Sequence, residues 1–171
     1  ETNGDFEAAI DWLRKQGQKI AAKRSDREAK EGVIIAQTTS DNKTGIAVCV
    51  SCETDFVSKN ADFVAFAQSI ADAAIANNVK SIEELNEVSI NGTKVSELIN
   101  DKLAAIGEKI GITNVSRVDA EFVASYINGA YRMGVLVGFT ADAAAVGKDV
   151  AMQIAAMNPL AVDPDSVSEE M

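Results

Sequence analysis

The apolar residues of this sequence change their spacing near residue 55, and that change limits the folds open to the chain. Over residues 46–52, large apolar side chains occupy alternate positions, which is typical of a strand with one buried face. Over residues 60–77 the spacing becomes helical, with one apolar stripe formed by Phe63, Phe66, Ala67, Ile70, Ala71 and Ala74. A half-buried strand followed by an amphipathic helix predicts a sheet with helices packed on one face.

The remaining patterns extend this prediction to the whole chain. Turn residues separate further strand-like and helical segments. The predicted strands are 33–36, 46–52, 112–118, 122–127 and 135–140, and the predicted helices are 5–16, 60–77, one starting at Ser81, 94–109 and 143–157. Strand runs with helices between them favour an α+β fold, an antiparallel β-sheet core with helices packed on it.

The N-terminal helix stands apart from this core in the sequence. Asn3 is its expected cap and Gly17 its expected stop. Because one helix alone cannot bury an apolar stripe, we interpret residues 1–18 as the last helix of a small helical module. Residues 19–32 then form a linker, residues 33–141 the core α+β domain, and residues 142–171 a helix and a tail leading into an absent or second core subdomain.

The charge pattern argues against nucleic acid as a partner. The formal net charge is −10, from 16 basic and 26 acidic side chains. Phosphate binding requires clustered Lys and Arg, and the one short basic stretch, residues 15–27, favours a solvated helix end. No run approaches the roughly 20 apolar residues of a membrane span, and residues 1–5 lack a secretion signal. We therefore expect a cytoplasmic protein, and the missing initial Met indicates a fragment or a processed chain.

Histidine is absent from the sequence, which excludes His-assisted Ser or Cys catalysis. Cys49 and Cys52 have the spacing of a redox or zinc motif, but residues three apart on a strand face opposite sides of the sheet. We therefore interpret them as ordinary strand thiols. No metal, cofactor, catalytic residue or small-molecule substrate is expected.

The segment 52–60 joins a predicted strand to the long predicted helix and permits several interpretations. Thr54 or Asp55 could cap that helix, and Phe56 could pack against it as a hydrophobic staple. A second interpretation is a carboxylate-based enzyme that uses Asp55 with Asp62 or Glu53 as acid and base. A third is a plain adaptor domain that binds other proteins.

Residues 53–63 read E-T-D-F-V-x-K-N-x-D-F, which resembles the central signature of the elongation factor Ts family. Four further segments resemble that family in the same order: residues 3–15, 21–23, 125–137 and 150–159. The first is similar to the end of the family's ubiquitin-associated-like N-terminal module, whose earlier helices are missing here. Five matches in order cover nearly the whole chain, so we identify it as a member of that family.

The resemblance implies a guanine-nucleotide exchange factor that binds elongation factor Tu, in its GDP-bound and nucleotide-free forms, during translation elongation. The loop implied to disturb the partner's magnesium and phosphate site, so that GDP leaves, consists of Thr54, Asp55, Phe56 and Val57. In this loop Phe56 would insert into the nucleotide-binding domain and Asp55 would hold it in register.

Weaker contacts are implied for a second region, made up of Asn128, Gly129, Arg132, Met152 and Gln153. Many members of the family carry His at the positions of Asn128 and Gln153. Asn and Gln keep hydrogen-bonding capacity but have no protonation role. If the resemblance holds, the shared activity does not require those two His residues in this chain.

Overall fold

The computed structural model describes residues 2–167 and has the predicted α+β architecture. The strands are β1 (Glu31–Thr38), β2 (Thr44–Cys52), β3 (Ser89–Ile90), β4 (Thr93–Lys94), β5 (Gly111–Asp119), β6 (Phe122–Asn128) and β7 (Met133–Phe139). The helices are α1 (Phe6–Lys23), α2 (Asp55–Ser58), α3 (Ala61–Ala76), α4 (Ile82–Glu87), α5 (Val95–Ile106) and α6 (Gly147–Met157), with a 3-10 turn at Pro164–Ser166. The combination of antiparallel sheets and packed helices confirms the predicted α+β fold class.

The strands form three antiparallel sheets rather than one. The largest has the order β1-β2-β5, while β6 pairs with β7 and β3 with β4. The β1–β2 turn lies between the predicted strands 33–36 and 46–52, and in it Asn42 takes a left-handed conformation with φ 53°. The Asp41 carboxylate fixes this turn by accepting hydrogen bonds from the Thr39 hydroxyl and the Lys43 amide.

The main core lies between the β1-β2-β5 sheet and α3. The inward residues of β2, at alternate positions from Ile46 to Val50, are at most 1% exposed. The stripe of α3 meets them with Phe63, Ala67, Ile70, Ala71 and Ala74, all buried. Full burial of each large side chain contributes about 1.5–3 kcal/mol, so this interface between β2 and α3 is a major source of the stability of the fold.

The first helix is longer than predicted, because the expected stop at Gly17 is wrong. α1 continues through Lys23, so residues 19–23 of the predicted linker are helical. Gly17 is buried against α5, where an added Cβ would lie 3.0 Å from the Ala104 Cβ. Glycine therefore allows two helices to approach closely at this position. The cap is Asp5, which accepts a hydrogen bond from the Ala8 amide, and not Asn3. That α1 is the end of a ubiquitin-associated-like module stays a prediction.

The last helix packs on the β6–β7 hairpin and starts later than predicted. Residues 143–146 form a turn, and α6 begins at Gly147. A Cβ at Gly147 would lie 3.0 Å from the Ala124 Cβ and 3.1 Å from the Phe122 ring, so this end of the helix is pressed against the hairpin. The predicted end of this helix at residue 157 is confirmed, and Asn158 after it takes a left-handed conformation with φ 45°.

Candidate functional site

The segment between β2 and α3 contains the short helix α2, which the sequence patterns did not indicate. Thr54 lies at its N-terminus with extended backbone and makes no side-chain capping bond. The long helix α3 is capped by Asn60, whose side-chain oxygen accepts hydrogen bonds from the amides of Asp62 and Phe63. The prediction that Thr54 or Asp55 caps the long helix is therefore wrong.

Phe56 projects from α2 into solvent with 84% of its surface exposed. Its neighbour Val57 is half-buried and packs against the main core, so it anchors α2 and leaves Phe56 outside. Phe56 is therefore not the hydrophobic staple considered from the sequence. The exposed Phe56 ring therefore contributes little to the core, and aromatic side chains are enriched among the residues that carry most of the binding energy at protein interfaces.

Glu108, which follows α5, holds the start of this segment. Its Oε2 accepts hydrogen bonds from the backbone amides of Glu53 and Thr54 at 3.2 and 3.1 Å. Its Oε1 accepts a third from the Thr54 hydroxyl at 2.7 Å. One carboxylate thus binds three donors on two successive residues, a strong arrangement because the acceptor is charged.

Glu53 makes the reciprocal connection. Its Oε1 accepts hydrogen bonds from the Lys109 amide at 2.7 Å and from the Arg24 guanidinium at 2.8 Å. Its Oε2 accepts one from Arg27 at 3.2 Å. The Lys109 amide, followed by Arg24 and Arg27, lowers the pKa of Glu53 from 4.5 to about 2.

Asp55 is exposed and bound to its own helix. Its carboxylate accepts a hydrogen bond from the Lys59 ammonium group at 2.7 Å, and this contact lowers its pKa. The positive charge of Arg132 lowers it further by a smaller amount. Neither Asp55 nor Glu53 has the raised pKa of a general acid, so both carboxylates fit ion-pairing roles better than the acid–base roles of the enzyme interpretation.

A shallow groove of about 310 Å³ runs beside Phe56, between α2, α3 and the end of α5. Its lining is mainly apolar with polar residues among them, and it includes Val57, Phe63, Lys102, Ala105 and Ile106. Phe56 forms one wall of this groove. The surface at α2 therefore has a projecting ring, that of Phe56, directly beside a groove.

The β6–β7 loop carries part of the second predicted contact region. Gly129, Ala130 and Tyr131 all have positive φ, at 61°, 54° and 69°. The loop is held against β1 because the Ile34 amide donates a hydrogen bond to the Tyr131 carbonyl at 2.8 Å, and Arg132 pairs with Glu31. Asn128, Gly129 and Arg132 are all exposed.

Met152 and Gln153 lie on α6 and are also exposed, Met152 by 42%. Because α6 packs on the β6–β7 hairpin, these two residues belong to the same structural unit as the loop. The predicted contact residues therefore fall into two groups, one at residues 54–57 and one on the β6–β7 hairpin with α6.

The two cysteines are free, and Cys49 is half-buried while Cys52 is buried. They point to opposite faces of β2, as predicted. Burial raises the pKa of the Cys52 thiol to about 11, so this thiol stays protonated at neutral pH. Among residues 2–167, no group of three or more His, Cys, Asp or Glu side chains is arranged to hold a metal ion. In the same range, no helix is long and apolar enough to cross a membrane.

The sequence patterns missed Glu108, Lys109, Arg24 and Arg27 as residues that build this site. The basic stretch 15–27 was interpreted as a solvated helix end, and its last two arginines instead pair with Glu53. The spacing of neighbouring residues gives no indication of the role of Glu108, since the residues that it binds lie 54 and 55 positions away in the sequence. The exposed aromatic side chain on this anchored turn is suited to contact another protein, since aromatic residues are enriched among those that dominate binding at interfaces.

Comparison with known proteins identifies the family. A family model described as Elongation factor TS matches residues 53–171, starting at Glu53 itself. Elongation factor Ts of Christiangramia forsetii is 42% identical over 172 residues, which cover 99% of this chain and 62% of that protein. The same factor of Rhodopirellula baltica is 43% identical over 174 residues, covering 99% of this chain and 53% of that protein.

A third relative, elongation factor Ts of Flavobacterium psychrophilum, is 40% identical over 179 residues, covering all of this chain and 65% of that protein. This chain belongs to the elongation factor Ts family. It spans between 53% and 65% of the length of these three relatives.

Proposed function

We propose that this chain is a guanine-nucleotide exchange factor that binds elongation factor Tu and promotes release of GDP during translation elongation in the cytoplasm. The observation that carries the proposal is Phe56, which is 84% exposed at the end of an anchored segment. Phe56 enters the nucleotide-binding domain of the partner beside its magnesium and phosphate site. Membership of the elongation factor Ts family supports the choice of partner.

The anchoring of the segment matters because insertion requires a ring that is already in place. A loop that orders only on binding loses part of the binding free energy to conformational entropy. Here Thr54 is held by Glu108, Val57 is packed on the core, and Asp55 is bound to Lys59. Phe56 is therefore presented to the partner with little further ordering required.

The magnitudes indicate that Phe56 does not act alone. A thousandfold faster release of GDP requires a barrier lower by about 4 kcal/mol. Burial of one Phe side chain contributes about 1.5–3 kcal/mol. The remainder comes from weakened magnesium contacts in the partner and from the second region. That region includes Asn128, Gly129, Arg132, Met152 and Gln153, all exposed on the β6–β7 loop and α6.

Coupling between the factor and the nucleotide follows from thermodynamic linkage. If the chain binds nucleotide-free elongation factor Tu more tightly than the GDP-bound form, nucleotide must weaken its binding by the same factor. GTP binding then displaces the chain and completes the exchange. This reciprocity distinguishes an exchange factor from a plain adaptor, whose affinity is independent of the nucleotide.

The experiment measures release of a fluorescent GDP analogue from elongation factor Tu, with magnesium present, with and without this chain. The same measurement is made with Phe56→Ala and with Phe6→Ala. Phe6 is a matched control, because its ring is also exposed, by 77%, but lies at the start of α1. We expect the wild-type chain and Phe6→Ala to accelerate release and Phe56→Ala to lose most of the acceleration.

Three outcomes contradict the proposal in different ways. A folded wild-type chain that binds elongation factor Tu without accelerating release is an adaptor. A chain that neither binds nor accelerates has another partner. A large fall in the melting temperature of Phe56→Ala shows that the ring contributes to folding, which removes the proposed role of Phe56.

A further inference from the structure

The carboxylates of Glu53 and Glu108 connect the segment before Phe56 to the segment after α5, because each accepts hydrogen bonds from the backbone of the other's segment. Glu108 accepts hydrogen bonds from the Glu53 and Thr54 amides and from the Thr54 hydroxyl. Glu53 in turn accepts one from the Lys109 amide. Two neighbouring residues on one segment are thus bonded to two neighbouring residues on another. We call Glu53, Thr54, Glu108 and Lys109 the carboxylate clamp.

The clamp also holds a third segment, the one that follows α1. Arg24 and Arg27 donate to Glu53 at 2.8 and 3.2 Å. The Lys109 ammonium group donates to the carbonyls of Ser25 and Arg27 at 2.7 and 2.9 Å. The end of β2, the end of α5 and the segment after α1 therefore meet at one point, two to three residues before Phe56.

We propose that Glu108 is a positioning residue for nucleotide exchange, because it fixes the backbone of Glu53 and Thr54 and thereby sets where α2 presents Phe56. This inference rests on the function proposed above. The hydrogen bonds of Glu108 are to Glu53 and Thr54 and not to Phe56. Its effect passes through Thr54, the residue at the N-terminus of α2, whose carbonyl accepts the Ser58 amide at 3.3 Å.

The geometry favours positioning over a general contribution to stability. All three donors to Glu108 belong to Glu53 and Thr54, so loss of the carboxylate leaves unpaired donors at this segment alone. The main core between β2 and α3 does not include Glu108. Removal of this carboxylate is therefore expected to loosen the start of α2 while the core stays folded.

The test compares Glu108→Ala, Glu108→Gln and Glu97→Ala in the GDP-release assay. Gln retains an oxygen that accepts from both amides, whereas Ala retains none. Glu97→Ala is the matched control, since Glu97 lies on α5 and pairs at 3.7 Å with Arg14, away from the clamp. We expect Glu108→Ala to lose about tenfold in acceleration, Glu108→Gln to recover most of it, and the control to match the wild-type chain.

A second readout tests whether Glu108 acts through Phe56. In a Phe56→Ala background, Glu108→Ala should lower exchange by less than about twofold further, because both changes remove the same interaction. Fully additive effects of the two substitutions overturn the inference. So does wild-type acceleration by a folded Glu108→Ala chain.

A third readout is independent of elongation factor Tu and separates this inference from the proposed function. Hydrogen exchange of the Glu53 and Thr54 amides in the free chain should be faster in Glu108→Ala, with core amides such as that of Val48 unchanged. Unchanged exchange at Glu53 and Thr54 overturns the clamp whatever the activity. Failure of the wild-type chain itself to accelerate release contradicts the proposed function instead.

If Glu108→Ala fails to fold, Thr54→Val replaces it. This change removes the hydroxyl that donates to Glu108 at 2.7 Å and leaves the backbone donors in place. We expect a smaller loss in acceleration, about twofold to fivefold, with faster exchange of the Thr54 amide. Wild-type behaviour in both measurements overturns the inference.

Discussion

The segment around Phe56 and the β6–β7 loop are both exposed, but they are held in place in different ways. Before Phe56, the bonds come from ionised side chains, with Glu108 and Glu53 binding backbone amides of each other's segments. In the β6–β7 loop, the chain is held by its own backbone, with three successive residues at positive φ and the Tyr131 carbonyl bonded to β1.

This difference determines what kind of change each region tolerates. A segment held by carboxylates depends on pH and on single side chains, because removal of one charge leaves several donors unpaired. A loop held by backbone conformation depends on which residues can take a left-handed φ, and much less on charge. The two regions should therefore fail under different perturbations.

The largest expected effect separates the two regions by function. Phe56→Ala should lower acceleration of GDP release by about 100-fold, since in the proposed complex the Phe56 ring becomes buried in the partner and the variant loses that contact. Met152→Ala, in the second region, should lower it by about two- to fivefold. The GDP-release assay measures both. Equal losses would show that neither region dominates and would remove the contrast on which this prediction depends.

The second prediction concerns how the hairpin is attached to the main sheet. In Gly134→Ala, the new Cβ would lie 2.6 Å from the Ile34 Cγ2 and 3.2 Å from the Ala36 Cβ. Overpacking of this kind costs about 1–3 kcal/mol of the free energy of unfolding, measured by urea denaturation. Hydrogen exchange at Glu53 and Thr54 should stay unchanged, because the atoms nearest to the new methyl group, on Ile34 and Ala36, do not belong to the clamp. Faster exchange there would show that the two regions are not independent.

The third prediction concerns the pH dependence of the stability that Glu53 contributes in the clamp. Because the pKa of Glu53 is about 2 in the folded chain and 4.5 as its ordinary value, its contribution to stability is fully present above pH 4.5 and disappears as the pH falls towards 2. Its charged neighbours are Arg24, Arg27, Lys109 and Glu108. Urea denaturation of the wild-type chain and Glu53→Gln should show a difference in stability at pH 7 that decreases below pH 4.5. A constant difference from pH 7 to pH 2.5 would contradict this assignment.

The smallest effect is expected in the β6–β7 loop. Ala130 has φ 54°, a conformation that costs a non-glycine residue about 1–2 kcal/mol. Glycine avoids this cost. It also lowers the free energy of unfolding by about 0.5–1 kcal/mol, because it has more conformational freedom to lose when the chain folds. Ala130→Gly should therefore stabilise the chain by roughly 0.5 kcal/mol in urea denaturation, independently of pH. A destabilised variant would show that the Ala130 methyl group makes a contact that outweighs the backbone cost.

The sequence predicted the main core well because its periodicity is local. Strand β2 and helix α3 bury the residues that the two spacings selected, and Asn60 and Asn77 were the predicted limits of α3. The error at α1 has a physical cause that local patterns do not contain. Gly17 allows close packing against α5 instead of ending the helix, and a glycine's packing partner is not visible in its neighbours along the chain.

The site was predictable only in part for the same reason. The turn residues Thr54, Asp55, Phe56 and Val57 were found through the family resemblance, which implies that Phe56 inserts into a partner. Their support was not found, because Glu108 and Arg24 become neighbours of Glu53 only in the folded chain. A hydrogen bond between single polar residues far apart in the sequence produces no repeating pattern of residue types, so it cannot be predicted from spacing.

The unequal burial of the two cysteines makes this chain suited to site-specific labelling without any substitution. Cys52 is fully buried and its pKa is about 11, so a thiol-reactive dye at neutral pH has little access to it. Cys49 lies half-buried on the opposite face of the sheet. A maleimide fluorophore should therefore attach at a single known position, and binding of a partner can be followed by fluorescence with the natural amino-acid sequence intact.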